Sequence, residues 1–184
     1  LQSEFDIAVN GKNLAAHMNR VMSVCPALPR YGVIAAGGIG YVYKGQTIDM
    51  MGLNNPAMAH ADKVKTKGVK NHGSFNKKVF YNQQVDIFLT WPDPLTDTLI
   101  QDDITARAFL LRLRDPQYFI NRVCGNIFND AEFRSQYSFY RISNGKDHFY
   151  GFVKPTPFAE KYPCLQLSPV QEEPIPVQVS SSLP

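Results

Sequence analysis

The run Gly32-Val-Ile-Ala-Ala36 constrains this chain more than any other feature, because it is continuously apolar and closed by glycine at both Gly32 and Gly37. A half-exposed strand alternates apolar and polar residues, whereas a short unbroken apolar run between glycines fits a strand buried on both faces. Such a strand needs neighbours in a sheet and cover above and below. From Lys12 to Cys25, Asn13 is placed as a cap, and Leu14, Met18, Val21, Met22 and Cys25 fall at i, i+4, i+7, i+8 and i+11, on one helical face. His17 and Arg20 lie towards the wetter side, and Pro26 and Pro29 end the helix. After the glycine-rich connection 37–45, Gln46 to Met51 reads as a second strand, parallel to the first with a minimal crossover.

The remainder extends this pattern. Asn54 or Asn55 is expected to cap a helix that opens at Pro56 and runs over 57–61. Val85 to Thr90 reads as a strand halted by Trp91-Pro92-Asp93-Pro94. Asp102 and Asp103 open a helix that closes on Arg112 and Arg114, charges that suit the helix dipole at each end. Gln136–Ile142 and Asp147–Val153 flank Ser143-Asn144-Gly145-Lys146, and Asn-Gly is a strong hairpin signal. Beyond Pro155 the prolines multiply, with one helical turn expected near Phe158–Tyr162. The expected architecture is therefore α/β: a single domain with a small mixed sheet flanked by helices, a C-terminal β-hairpin and an extended Pro-rich tail. The domain is assigned to 1–163 and the tail to 164–184.

Composition enters mainly by exclusion. With 44% hydrophobic and 19% charged residues, the chain has enough apolar surface to outweigh its conformational entropy, which excludes disorder. The longest nearly unbroken apolar run, Val33–Val42, is broken by glycines and falls short of the ~20 residues that span a bilayer. The net charge of +3 is too mild for a nucleic-acid footprint. That charge is local, however. Between Ala61 and Phe80, six lysines (Lys63, Lys65, Lys67, Lys70, Lys77 and Lys78) stand against Asp62 alone, giving 6 − 1 = +5. Two readings stay open for them: a solvated loop face, or a contact to phosphates or lipid head groups. Cys25, Cys124 and Cys164 contain no CxxC pair; one disulfide fits an oxidising compartment and three buried thiols fit a reducing one.

Catalytic motifs are sparse. Gly38-Ile-Gly40 lacks the third small residue of a dinucleotide fingerprint, since Tyr43 occupies that position, and Asp49 follows too soon to hold a ribose. His72-Gly-Ser74 is not a nucleophile elbow, and the histidines lack metal-ligand spacing, so neither a metal nor a cofactor is expected. Asp49 stands apart because it ends an apolar strand, where ligands of α/β sheets tend to sit. Its alternative role is to cap backbone N–H groups of the following loop.

The segment Gly37-Gly-Ile-Gly-Tyr-Val-Tyr-Lys-Gly45, followed by Ile48-Asp-Met-Met-Gly-Leu-Asn-Asn-Pro56, Ala59-His60 and Asn71-His-Gly73, resembles the soluble C-terminal domain of bacterial multispanning glycosyltransferases. These use lipid-linked sugars and include mannosyl- and arabinofuranosyltransferases of the cell envelope. The resemblance covers about residues 10–95, with Asn55 in place of the commoner Asp. It implies that membrane spans precede Leu1, that the catalytic carboxylate lies in that missing part, and that this piece is a non-catalytic accessory on the extracytoplasmic, periplasmic face of the inner membrane. Asp49, Asn54, His60 and His72 would then line a polar pocket for a glycan acceptor or a polyprenyl-phosphate sugar, with the lysine stretch facing the membrane surface. An independent periplasmic carbohydrate- or anion-binding module, and a small α/β enzyme pairing Asp49 with His60 or His72, are the alternatives.

Overall fold

A computed structural model describes residues 2–34, 36–52, 54–62, 75–89 and 99–172. Six strands form one mixed sheet: β1 (Tyr31–Val33), β2 (Thr47–Asp49), β3 (Ile87–Leu89), β4 (Ser138–Ser143), β5 (His148–Val153) and β6 (Gln166–Pro169), in the order β2-β1-β3-β5-β4-β6. β2, β1 and β3 run parallel, with Tyr31 in register with both Thr47 and Ile87. β5 joins β3 antiparallel, pairing Val153 with Ile87, and β4 and β6 continue the antiparallel half. The sheet is thus parallel in its first half and antiparallel, around the β4–β5 hairpin, in its second.

The strand expected over Gly32–Ala36 is shorter and starts one residue earlier, as β1 over Tyr31–Val33; all three of its residues are buried, and β1 and β2 are parallel as the short connection implied. The helix before it is longer than its periodicity suggests. α1 spans Gln2–Val21 and continues as a 3₁₀ turn over Met22–Val24, so Asn13 is an interior residue and not a cap. Gly11 lies inside the helix, at a point where a Cβ would press on the Gly37 carbonyl and on Ile39. The connection 37–45 itself contains a short helix, α2 (Ile39–Val42). Gly38, at φ +77°, lies where any side chain would collide with the Ala8 carbonyl. Gly38 therefore serves close packing on α1, a gain in approach that costs backbone entropy.

Five further helices follow the sequence signals or fill gaps between them. α3 (Pro56–Ala59) is capped by Asn55, whose Oδ1 accepts from the Met58 N–H, and α5 (Asp103–Arg114) by Asp102, which accepts from Thr105. α4 (Lys77–Asn82) is capped by Asn76 and α7 (Ala131–Gln136) by Asp130. α6 (Phe119–Val123) lies between α5 and α7. Between these helices and β3, β4 and β5 lies an aromatic core: Phe80, Phe88, Phe128, Phe133 and Phe152 are each fully buried, with Phe80–Phe88 ring centroids 4.8 Å apart and Phe128–Phe152 5.3 Å. Rings in these tilted and edge-on arrangements contribute about 0.5–1.5 kcal/mol per pair beyond their buried area.

The sheet runs on into the segment that composition assigned to the tail. α8 (Pro155–Lys161) covers the turn expected near Phe158, and β6 then adds an edge strand to β4. Two clamps hold this end in place. The Asp86 carboxylate accepts from the Arg30 N–H at 2.8 Å, from the Lys161 ammonium at 2.9 Å and from the Tyr162 hydroxyl at 2.9 Å. A Cys25–Cys164 disulfide ties the end of α1 to the chain just before β6, while Cys124 is a buried thiol whose pKa burial pushes up. The disulfide closes a loop with a sequence separation of 139. Restricting so long a loop in the unfolded chain predicts that Cys25→Ser/Cys164→Ser lowers unfolding free energy by about 3–5 kcal/mol, read as a drop in the urea midpoint. A midpoint unchanged in the double variant overturns this clamp.

Candidate functional site

β2 and β3 flank β1 on opposite sides, so the chain reverses its direction of travel across the sheet at β1. In α/β sheets the carboxyl ends of the strands at such a reversal are where ligands collect, because the diverging connections leave a crevice. The loop after β2 rises from this edge, and Asp49 organises it. Asp49 is only 4% exposed; its Oδ1 accepts from the Met51 N–H and its Oδ2 from the Asn54 N–H, both at 2.8 Å. The capping role weighed for Asp49 is therefore present. Gly52, at φ +86°, packs so tightly on the Met58–Ala59 backbone that a Cβ would strike it, which folds the loop onto α3.

The other sequence-predicted site residues separate into three groups. Asn54 and His60 are exposed on either side of α3, and no hydrogen bond joins either side chain to the Asp49 carboxylate among the described residues. His72, Lys63, Lys65, Lys67 and Lys70 lie outside the described residues. Lys77 is engaged within the protein, its ammonium 2.7 Å from the Asp130 carboxylate, which also accepts from the Tyr81 hydroxyl at 3.3 Å; Lys78 is exposed. No group of three or more metal-ligating side chains occurs among the described residues, and none of their helices is long and apolar enough to cross a membrane.

One polar group in this loop escapes a sequence reading. Asn55 is 8% exposed; its Oδ1 caps α3, but its Nδ2 is buried with no hydrogen-bond acceptor among the described residues. A capping asparagine is legible from Asn-Asn-Pro, whereas the isolation of its other amide atom depends on how the loop packs. An aspartate here would cap equally well without carrying an N–H₂ donor into the interior.

With this geometry in view, one comparison is positive. Residues 11–150 match the family model described as Domain of unknown function (DUF8728). The chain belongs to this family. No curated protein and no solved structure matches it. The match spans α1 from Gly11 through the parallel strands, the loop after β2 and most of the hairpin, so the loop held by Asp49 lies inside the family's shared extent.

Two outcomes follow for this family member. Asp49→Ala leaves the Met51 and Asn54 N–H groups without their acceptor, and a loss of about 1–3 kcal/mol per buried unsatisfied group is expected; a wild-type urea midpoint in the variant contradicts it. The Lys77 ammonium, with the Glu132 and Phe133 N–H groups, holds the Asp130 carboxyl below the ordinary carboxylate range. A depressed folded-state pKa stabilises above the unfolded value of about 3.9 and is lost as pH falls through the folded pKa. Lys77→Met should therefore flatten the fall in urea midpoint below about pH 4, and an unaltered acid limb overturns the assignment.

Proposed function

We propose that this chain is a non-catalytic extracytoplasmic accessory domain of a bacterial membrane glycosyltransferase, holding a glycan acceptor or a polyprenyl-phosphate sugar donor at the loop after β2. The observation that carries the reading is the position of that loop, at the carboxyl edge of the parallel strands, one strand from the point where the strand order reverses, on the very residues that resemble the glycosyltransferase domain. The Asp49 carboxylate is occupied by two backbone N–H groups. With both oxygens already engaged by the loop's own backbone, the carboxylate serves a positioning role rather than general-base catalysis with His60. Asn54 and His60 present donors and acceptors to solvent from this frame, as sugar hydroxyls require. The Cys25–Cys164 disulfide supports an oxidising, extracytoplasmic setting. Lys78, with Lys63, Lys65, Lys67 and Lys70, belongs in this reading to a membrane-facing stretch; Lys77 contributes through Asp130 instead.

The test is an NMR titration of the ¹⁵N-labelled domain with mannose and arabinose oligosaccharides and with a short-chain polyprenyl phosphate. Saturable shifts are expected over residues 50–62, and Asn54→Ala/His60→Ala should weaken binding about tenfold, equivalent to 1.4 kcal/mol. Both side chains are exposed, so the double variant keeps its fold. Absence of saturable shifts with every probe, or equal binding by the variant, overturns the reading.

A further inference from the structure

A groove of about 810 Å³ opens between the last turns of α1, the chain joining α2 to β2, and the β4–β5 turn. Its walls carry three cations, Arg20, Lys44 and Lys146, and one carboxylate, Asp147, so the lining nets +2. All three cationic side chains are exposed, and neither lysine ammonium has an ion-pair partner among the described residues. They come from positions 20, 44 and 146, and only the fold assembles them.

The frame that carries these charges is tied together by hydrogen bonds. Asn19 donates from Nδ2 to the Val42 carbonyl at 2.8 Å and accepts the Lys44 N–H on Oδ1 at 3.1 Å, which sets the root of Lys44 against α1. Asn144 accepts the Lys146 and Asp147 N–H groups at 2.9 and 2.8 Å, closing the turn around Gly145 at φ +90° and fixing the root of Lys146. Arg20 is held through its guanidinium, which donates to His17 Nδ1 at 2.9 Å, while His17 Nε2 donates to the His148 carbonyl at 2.6 Å. A carbonyl only accepts, so the ring hydrogen sits on Nε2 and Nδ1 offers its lone pair to Arg20. A cation oriented in advance loses less freedom when a ligand arrives.

We propose that this groove binds a phosphomonoester, either on a free phosphorylated sugar or at a lipid headgroup. The charge decides the class: a phosphomonoester carries about −1.5 to −2 near neutral pH and matches the lining, whereas a carboxylate supplies half of that and a neutral sugar none. An arginine fork engages two phosphate oxygens at once, and the two lysines act as point charges around it. Val24 and Val42 give the groove an apolar wall for the ligand's carbon skeleton. This site shares no residue with the loop after β2 and does not depend on the function proposed for that loop.

The test titrates the labelled full chain with inorganic phosphate, glucose 6-phosphate and glucose, and measures its sedimentation with phosphatidylcholine vesicles with and without phosphatidic acid. Saturable shifts confined to residues 19–24, 42–44 and 144–147 are expected with a phosphate-bearing probe, weakening as salt rises, and absent with glucose. Lys44→Gln/Lys146→Gln should bind about tenfold more weakly, and Arg20→Gln serves as a second, independent variant; unchanged signals outside the groove verify that each is folded. Saturation by glucose 6-phosphate in solution assigns a free phosphosugar, and sedimentation that needs phosphatidic acid and is lost in the variants assigns a lipid headgroup. The proposal is overturned if no phosphate-bearing probe or vesicle binds, if glucose binds equally well, or if the variants bind like wild type. Shifts over 50–62 alone also overturn it while supporting the other site.

Discussion

Everything in this domain is arranged around the burial of β1. Its three residues are buried, and its backbone pairs with β2 on one side and β3 on the other. A strand so placed has no water with which to satisfy N–H and C=O groups, so both neighbours must be in register for it to exist. That requirement fixes where β2 ends, and hence where Asp49 stands. It also fixes the reversal of strand order between β1 and β3. The helix α1 meets the segment after β1 at Gly11 and Gly38, where the backbones come too close for side chains.

The second half of the sheet depends on a different interaction. Phe139 and Phe152, neighbours across the hairpin, pack with ring centroids 4.8 Å apart, and Phe152 continues into the cluster of Phe128 and Phe133. Apolar burial of this kind is non-directional and tolerant of where the chain comes from, so helices distant in sequence converge on it. Directional contacts then fix the margins. Asp86 gathers a backbone N–H from Arg30 and two side chains from the end of α8, and the disulfide fastens the following residues to the end of α1. Asp130 does the same between α4 and α7 through Lys77 and Tyr81. In each case one carboxylate serves several donors, which is how a buried or half-buried charge becomes tolerable.

The two candidate binding regions differ in kind. The loop after β2 is built by local chemistry: an aspartate at a strand end, a glycine at positive φ, and an asparagine cap before proline, all within eight residues. The basic groove is built by convergence of the α1 end, the α2–β2 connection and the hairpin turn. The first can be assigned a frame but little net charge; the second has charge and an oriented arginine.

Sequence by itself determined the elements whose cause is local: a buried strand beginning near Gly32, a cap at Asn54 or Asn55 and one at Asp102, the hairpin around Asn144-Gly145, and the possibility that Asp49 caps its own loop. These rest on φ/ψ preference and on hydrogen bonds spanning two to five residues, and such information is carried by the residues involved. The start of α1 was not legible, because Asn13 reads as a cap although the helix runs through it from Gln2. Nor was the pairing of Cys25 with Cys164, since spacing cannot choose among three cysteines, nor the addition of β6 to the sheet from a proline-rich segment. Lys77 reads as one charge in a basic run, and only the approach of α7 gives it Asp130. Tertiary structure alone decided that Arg20, Lys44 and Lys146 face one groove, because charges far apart in the chain acquire a common field only when the fold brings them to the same surface.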